Sequence, residues 1–424
     1  MFDNVTALLN NCPCGRKHSL LTEECVISAD AAAQMKDYIT AHGFTSPAII
    51  CDENTHRFTA ALSDITERVL TLGGGVHATE VQTAIGDTFI EQNHPDVLIA
   101  CGSGSIHDIT RYCAHEAHIP FISYPTAASV DGFVSGVAAM TWHGQKLTFP
   151  STPPIAVFAS PDVFCTAPTR LTASGVGDVL GKYTSLFDWR VGEILTGEYR
   201  CPGICALEYD AIDAVCSALE DRTQENEQEY TIRVMEALLL SGLAMQLTGN
   251  SRPASAAEHH MSHLWEMERI NKESSGLHGE QVGVGLLAVL PEYHSFIGHI
   301  DDSIDAIRSI DTAKVFDRAY IEPVFGDMTD GILAENLPGG KSSLEEIKLT
   351  PDTADRIREA AKALPDVEYA ASLLRSAGAP TSTAEIGLPD SREFIKRSLS
   401  FAPYVRNRLS LLKVIDAISR TAEN

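Results

Sequence analysis

Four apolar runs mark the first third of the chain: "AIICD" at 48–52, "VLIACG" at 97–102, "FISYP" at 121–125 and "IAVFA" at 155–159. Each is short, lacks polar alternation and ends at small, acidic or turn-forming residues. Strands buried on both faces have this pattern, and they occur in parallel sheets covered by helices. Past Pro161 the period changes. "EQEYTIRVMEALLLSGLAMQLTG", 227–249, places apolar residues at i, i+3, i+4 and i+7, the stripe of a helix with a buried face. "ADRIREAAKAL", "EYAASLLRSAG" and "DSREFIKRSLSFAPYVR" carry that character onward to the end. Alternating strand and helix followed by helix alone predicts an α/β domain over 1–164 and an all-helical domain over 165–424.

Composition narrows the partners. A chain of 424 residues, 44% hydrophobic and 21% charged, is an ordinary globular mixture, large enough for two cores. The net charge of −25 argues against nucleic acid or an anionic membrane surface. It leaves an anionic small substrate open, because a metal or a few local cations can dominate a site. No stretch reads as a membrane span or a secretion leader, so the expected location is the cytoplasm. The ten cysteines are dispersed and are expected to be thiols. "CPCG" followed by "RKH" sets Cys12, Cys14 and His18 close together. No fourth ligand at suitable spacing is visible, so the expected reading is a turn with buried thiols rather than a metal site.

Chemistry-bearing residues gather in five places. "CGSGSIHD", Cys101–Asp108, follows a strand and opens a helix, the setting in which backbone N–H groups hold phosphate. It is not GxGxxG, and the best strand-end carboxylate, Asp52, precedes the glycines, whereas a standard dinucleotide fold places it after them. The run Gly73–Gly75 lacks a strong strand before it and reads as a turn or helix start. "PTAASVDG", Pro125–Gly132, lies just past a strand end, where open α/β sheets bind ligands; Asp131 there could orient a hydroxyl or cap the next segment. In "GVGDVLGKYT", Asp178 reads on its own as a helix N-terminal cap. "SRPASAAEHHMSHLWEM", 251–267, holds Glu258, His259, His260 and His263, and "LHGEQVGVG" adds His278. His259 and His263 share a helix face, as do His260 and His263, and spacing does not choose between the pairs.

These pieces, in this order, resemble the iron-containing alcohol dehydrogenase and dehydroquinate synthase superfamily. Within it they look closest to the branch that acts on sn-glycerol 1-phosphate, including bacterial members that also carry an N-terminal "CPCG…H". The resemblance covers roughly residues 10–300 and rests most on "PTAASVDG", "GDVLGKYT" and "SRPAS…EH…SH". It implies a dehydroquinate synthase-like fold, with an N-terminal dinucleotide domain and a helical domain. It implies Asp178, His259 and His278 as ligands of one divalent metal: zinc, nickel or iron. His263 and Asp131 would be catalytic and substrate-facing, with Asp178 also touching substrate. Gly102, Ser103, Gly104, Ser105, Ile106, His107, Asp108, Thr126, Ala127, Ala128, Ser129 and Ser135 would hold NAD(P)H, with Asp52 near the adenosine ribose. A homodimer or higher homo-oligomer is implied as well. Ala256, Ala257 and His260 depart from the family's usual pattern, and His260 could compete as a ligand.

The implied reaction interconverts dihydroxyacetone phosphate and sn-glycerol 1-phosphate by hydride transfer. A Lewis-acidic metal would stabilise the developing alkoxide. His263, with an ordinary imidazole pKa, would orient the substrate or relay a proton. Arg252 and Lys182, close to the motifs, are candidates for the phosphate. Three readings compete. A dehydrogenase of the same superfamily acting on an unphosphorylated polyol would not need the phosphate. A lyase of the dehydroquinate synthase type would show no net change in NADH. A non-enzymatic binding protein would hold neither metal nor nucleotide.

Overall fold

The computed structural model describes residues 2–143, 145–267, 275–336, 344 and 347–422. Six strands form one parallel sheet in the order β1-β8-β5-β4-β2-β3: β1 Glu24–Ile27, β2 Pro47–Asp52, β3 Val69–Leu72, β4 Val97–Gly102, β5 Phe121–Pro125 and β8 Ala156–Ala159. The four runs read from the sequence are β2, β4, β5 and β8, each buried along its whole length. Successive side chains of a strand point to opposite faces. One face stacks Ile49, Cys51, Val97, Ile99 and Phe158 on Met35 and Ile39 of α2 (Ala31–Ala41). The other stacks Ala48, Ile50, Leu98 and Ala100 on Ile106, Ile109 and Cys113 of α4 (Gly104–Glu116). Both faces are covered, so the strands carry no polar alternation.

The sheet order resolves the reversed Asp52. β4 pairs with β2 on one side and β5 on the other. Asp52, Gly102 and Pro125 therefore end three adjacent parallel strands, and the order in sequence does not matter. Two edge strands were missed. β3 precedes Gly73–Gly75 directly, so that run does follow a strand, contrary to the expectation. β6 (Val137–Trp142) and β7 (Gln145–Pro150) form a separate antiparallel hairpin.

Among the described residues the strands end at Ala159, and from α5 (Pro161–Phe164) onward the regular elements are helices. The compact units divide the chain differently from 1–164 and 165–424. One comprises Met1–Val179 with Ala206–Asn250, the other Leu180–Cys205 with Ser251–Asn424. Helix α6 (Thr169–Thr196) and helix α7 (Pro202–Glu220) each run unbroken through a division point. The physical reason for the difference is α8 (Glu227–Thr248), which belongs with the sheet. A Cβ on its Gly242 would collide with Val134, and its Gln246 donates to Thr22 Oγ1 at 2.8 Å and to the Val134 carbonyl at 2.7 Å. In the second unit, α9 (Ala257–Glu266) lies against α10 (His278–Gly298), where a Cβ on Gly285 would come within 2.7 Å of the Glu258 carbonyl. Among the described residues no helix is long and apolar enough to cross a membrane.

Candidate metal, substrate and cofactor sites

Helix α9 is built around a buried acid. Glu258 is fully buried and accepts three hydrogen bonds: from the Ala256 N–H at 2.9 Å, from Thr184 Oγ1 at 2.6 Å and from His259 Nδ1 at 2.8 Å. Burial works to raise its pKa. The His259 hydrogen bond, with the Thr184 and Ala256 donors, outweighs burial and holds it below the usual glutamate value. Glu258 is therefore an anion, and His259 carries its proton on Nδ1. That tautomer puts the lone pair on Nε2.

The same device recurs one helix on. His278 opens α10, and its Nδ1 lies 2.9 Å from Glu266 Oε1 at the end of α9. The rings of His259 and His278 are 5.3 Å apart, those of His263 and His278 5.6 Å, and those of His259 and His263 6.2 Å. Three imidazoles thus converge, two of them braced by carboxylates. His263 Nδ1 stands 3.6 Å from Glu266 Oε2, near enough to feel the charge but beyond hydrogen-bonding reach. About a sixth of the side chain remains exposed. Even so, burial pushes the imidazole down to about 3 against the upward pull of Glu266, so the ring is neutral. Orienting a substrate fits that state; a relay resting on an ordinary imidazole pKa does not.

His260 points elsewhere. It is fully buried, and among the described residues neither ring nitrogen finds a hydrogen-bond partner. Burial first, then the charges of Arg408, Arg406 and Lys413, hold it well below its ordinary value. It shares no carboxylate with the other three histidines.

In the first unit, Asp178 is not a cap. It is the tenth residue of α6, fully buried, and its Oδ2 accepts the Asp131 N–H at 3.0 Å. The Asp131 carboxylate accepts Ser241 Oγ at 3.1 Å. Asp178 looked like a cap because of the glycines before it, yet Gly175 serves contact, not initiation. A Cβ on Gly175 would strike the Ala128 carbonyl, so glycine lets α6 lie directly on the "PTAAS" loop. Gly181 does the same in the second unit: its Cβ would meet Val282 at 2.6 Å, Glu258 at 3.2 Å and His259 Cε1 at 3.8 Å. Asp178 lies three residues before Gly181, on the same face of one continuous helix.

At the strand ends, Ser103 precedes the first turn of α4, and the Thr126 N–H donates to the Gly102 carbonyl at 3.0 Å. Asp52 Oδ1 accepts from the Thr55 N–H at 2.8 Å and from Thr55 Oγ1 at 2.7 Å. His107 lies beneath the loop. It is fully buried, its Nδ1 is 3.0 Å from the Ser103 carbonyl and its Nε2 2.7 Å from Ser123 Oγ, and burial lowers its pKa to about 3. Asp108 pairs with Arg111 at 2.6 Å. Arg111, unforeseen from the sequence, is fully buried and also donates to the Gly132, Phe133 and Val137 carbonyls. It thereby ties α4 to the segment after Asp131, where Ser135 Oγ bonds the Val137 backbone.

Both phosphate candidates are buried. Arg252 is buried and forks onto Glu198, with its remaining nitrogen on the Leu409 carbonyl at 2.7 Å. Such a bidentate pair already uses the geometry a phosphate would need. Lys182 is fully buried on α6. Arg406, half-buried and close enough to lower the pKa of both His260 and His263, was not foreseen.

Known proteins are similar to nearly the whole chain in sequence. The family model for iron-containing alcohol dehydrogenase matches residues 26–168. The glycerol-1-phosphate dehydrogenase (NAD(P)+) of Bacillus licheniformis is 34% identical, covering 97% of this chain and 93% of its own. This chain belongs to the iron-containing alcohol dehydrogenase family. A second relative of the same name, from Geobacillus stearothermophilus, is 32% identical over 98% of each chain. The solved alcohol dehydrogenase from Oenococcus oeni shares the fold, with a TM-score of 0.59 at 17% identity, covering 95% of this chain and 98% of its own. The iron-containing alcohol dehydrogenase family thus accounts for the parallel sheet followed by helices.

Proposed function

We propose that the protein interconverts dihydroxyacetone phosphate and sn-glycerol 1-phosphate, using NAD(P)H and one divalent metal. The observation that carries the chemistry is the pair of imidazoles, His259 and His278, each braced through Nδ1 by a carboxylate, the buried Glu258 and the partly buried Glu266. The observation that carries the substrate is the near-full-length likeness to glycerol-1-phosphate dehydrogenases.

In this reading Asp178, His259 and His278 hold the metal. One carboxylate and two imidazoles suit zinc, nickel or iron(II) and leave positions open for substrate. His263, Glu266 and His278 form a second possible donor set. The first is preferred because Glu266 is already engaged in orienting His278. A divalent ion held there supplies a Lewis acid for the carbonyl oxygen on which charge builds during hydride transfer.

The chain's own residues do the rest. Neutral His263 orients the substrate, and Asp131, fixed by Ser241 and by its own N–H on Asp178, lines the substrate position. Arg406 is the phosphate donor in place of Arg252. The Gly102–Asp108 loop with Thr126–Ser129 cradles NAD(P)H, Asp52 meets the ribose, and His107, Arg111 and Ser135 support these loops from beneath. The protein acts in the cytoplasm as a homo-oligomer, a location that ten cysteines dispersed along a long chain suit.

Comparing substrates tests the reading. Turnover with dihydroxyacetone phosphate should exceed that with dihydroxyacetone by orders of magnitude. Equal kcat/KM on the two would assign the protein to unphosphorylated polyols instead.

A further inference from the structure

In the second unit the loop 406–409 is held by its own carbonyls. Lys413, buried in the first turn of α18 (Leu411–Ala422), sets its Nζ 3.3 Å from the carbonyls of both Arg406 and Asn407, and 2.7 Å from Asn336 Oδ1. Arg252, also buried, donates to the Leu409 carbonyl at 2.7 Å. Just past the loop, Asp188 Oδ1 accepts the Leu411 N–H at 2.7 Å. Burying a cation is costly, and here two of them fix one short stretch of backbone. The side chains which that stretch presents are Arg406 and Arg408.

Both arginines stay partly exposed. Arg408 donates to the Ser255 carbonyl at 2.9 Å and to Ser251 Oγ at 2.8 Å, in the segment leading into α9. Those two bonds use fewer than half of its N–H donors. Among the described residues no acid bonds Arg408, and Glu198 nearby is gripped by Arg252. Burial and the like charges of Arg252 and Arg406 push the Arg408 guanidinium down to about 10. The cations therefore repel one another without full compensation. His260, in the first turns of α9, is a second and independent sign. It is fully buried, the charges of both arginines act on it, and neither ring nitrogen has a partner among the described residues. A neutral imidazole carries one N–H, and a buried N–H calls for an acceptor.

We propose that the loop 406–409 is the subsite for the substrate's phosphate, with Arg406 and Arg408 gripping its oxygens and Lys413 and Arg252 as positioning residues that hold the loop. The inference rests on the substrate reading above and deepens it. A guanidinium offers parallel N–H groups to two oxygens of one phosphate, a fit that a lysine lacks. Lys413 faces carbonyls, so it shapes the loop and leaves the anion to the arginines. In a chain of net charge −25, a cluster of cations with little acid among them is the local exception that an anionic substrate requires. Arg406 also lowers the pKa of His263, so the subsite adjoins the imidazole assigned to orient the substrate.

Kinetics on two substrates, with inorganic phosphate as the probe, test it. Arg406→Gln and Arg408→Gln should each lower the ratio of kcat/KM for dihydroxyacetone phosphate to that for dihydroxyacetone by about 10–100-fold. Arg408→Lys keeps the charge, loses the fork, and should recover part of the ratio. Lys413→Met should move the ratio the same way, whereas a merely structural role would depress both substrates alike. Inorganic phosphate should inhibit the parent competitively against dihydroxyacetone phosphate, with an inhibition constant that rises by the same factor in the glutamine variants. Partly exposed Arg406 keeps the test open if an Arg408 variant fails to fold. A parent with no preference for the phosphorylated substrate would sink the substrate reading, and the subsite with it. A parent that has the preference, with ratio and phosphate inhibition unchanged in both glutamine variants, would overturn the subsite alone. So would phosphate inhibition that is not competitive, because the loop would then take free phosphate and not the substrate's.

Discussion

Replacing Glu258 by glutamine keeps the shape of the side chain in the first turn of α9 and removes one buried charge. Its Oε1 takes the Ala256 N–H and His259 Nδ1, and its Oε2 takes Thr184 Oγ1. A glutamine can keep its oxygen on the first two donors and turn its NH2 toward Thr184. The Thr184 hydroxyl has another acceptor in the Gly181 carbonyl at 3.1 Å. The fold should therefore survive. His259 loses the anion that fixes its tautomer and raises its basicity. Loss of such an outer partner weakens metal binding by about 10–100-fold, or about 1.4–2.7 kcal/mol. The assay is zinc titration of chelator-stripped protein against a competing indicator, with a thermal melt alongside. Glu258→Ala is the contrast. It leaves three buried donors unmet, at about 1–3 kcal/mol each, and should lower the melting point as well as metal affinity. If Glu258→Gln binds zinc within threefold of the parent while His259→Ala loses it, the carboxylate does not tune the ligand and the reasoning fails.

Three further outcomes follow from the first unit. Arg111→Met removes a buried cation from Asp108 and three carbonyls, and should cost about 3–5 kcal/mol; a urea midpoint unchanged from the parent would show that this tie carries no stability. Gly175→Ala drives a methyl into the Ala128 carbonyl and should raise the KM for NAD(P)H with a stability loss of about 1–3 kcal/mol; unchanged KM and melting would mean α6 does not press on the loop. His107 has a folded pKa of about 3, depressed below its unfolded value of about 6.5. The unfolded chain therefore binds the extra proton, and stability is full above pH 6.5 and lost as pH falls toward 3. Between pH 7.5 and 5 that loss is about 2 kcal/mol. His107→Gln should shrink the difference in unfolding free energy between those two pH values by this amount, and an identical difference in parent and variant would contradict a buried neutral imidazole.

The parts of the fold legible in the sequence were those whose signal is local. β2, β4, β5 and β8 are buried on both faces and read as unbroken apolar runs. β1 and β3 are short edge strands, only partly buried, and left no such trace. The position of Asp52 beside the glycine loop is a matter of strand order, which no local pattern records. Asp178 looked like a cap because glycines often precede helices; here they give α6 two close contacts far apart in sequence. The histidine spacing could not separate His259 from His260. Burial and carboxylate partners separate them: Glu258 claims His259, while neither ring nitrogen of His260 has a hydrogen-bond partner among the described residues.

The measurement closest to the central claim is NADH oxidation by chelator-stripped protein given dihydroxyacetone phosphate, before and after zinc or nickel is restored, with chiral analysis of the product. The account predicts negligible rate without metal, steady NADH loss with it, and sn-glycerol 1-phosphate as the product. Full rate in the stripped protein, or sn-glycerol 3-phosphate as the product, would contradict it.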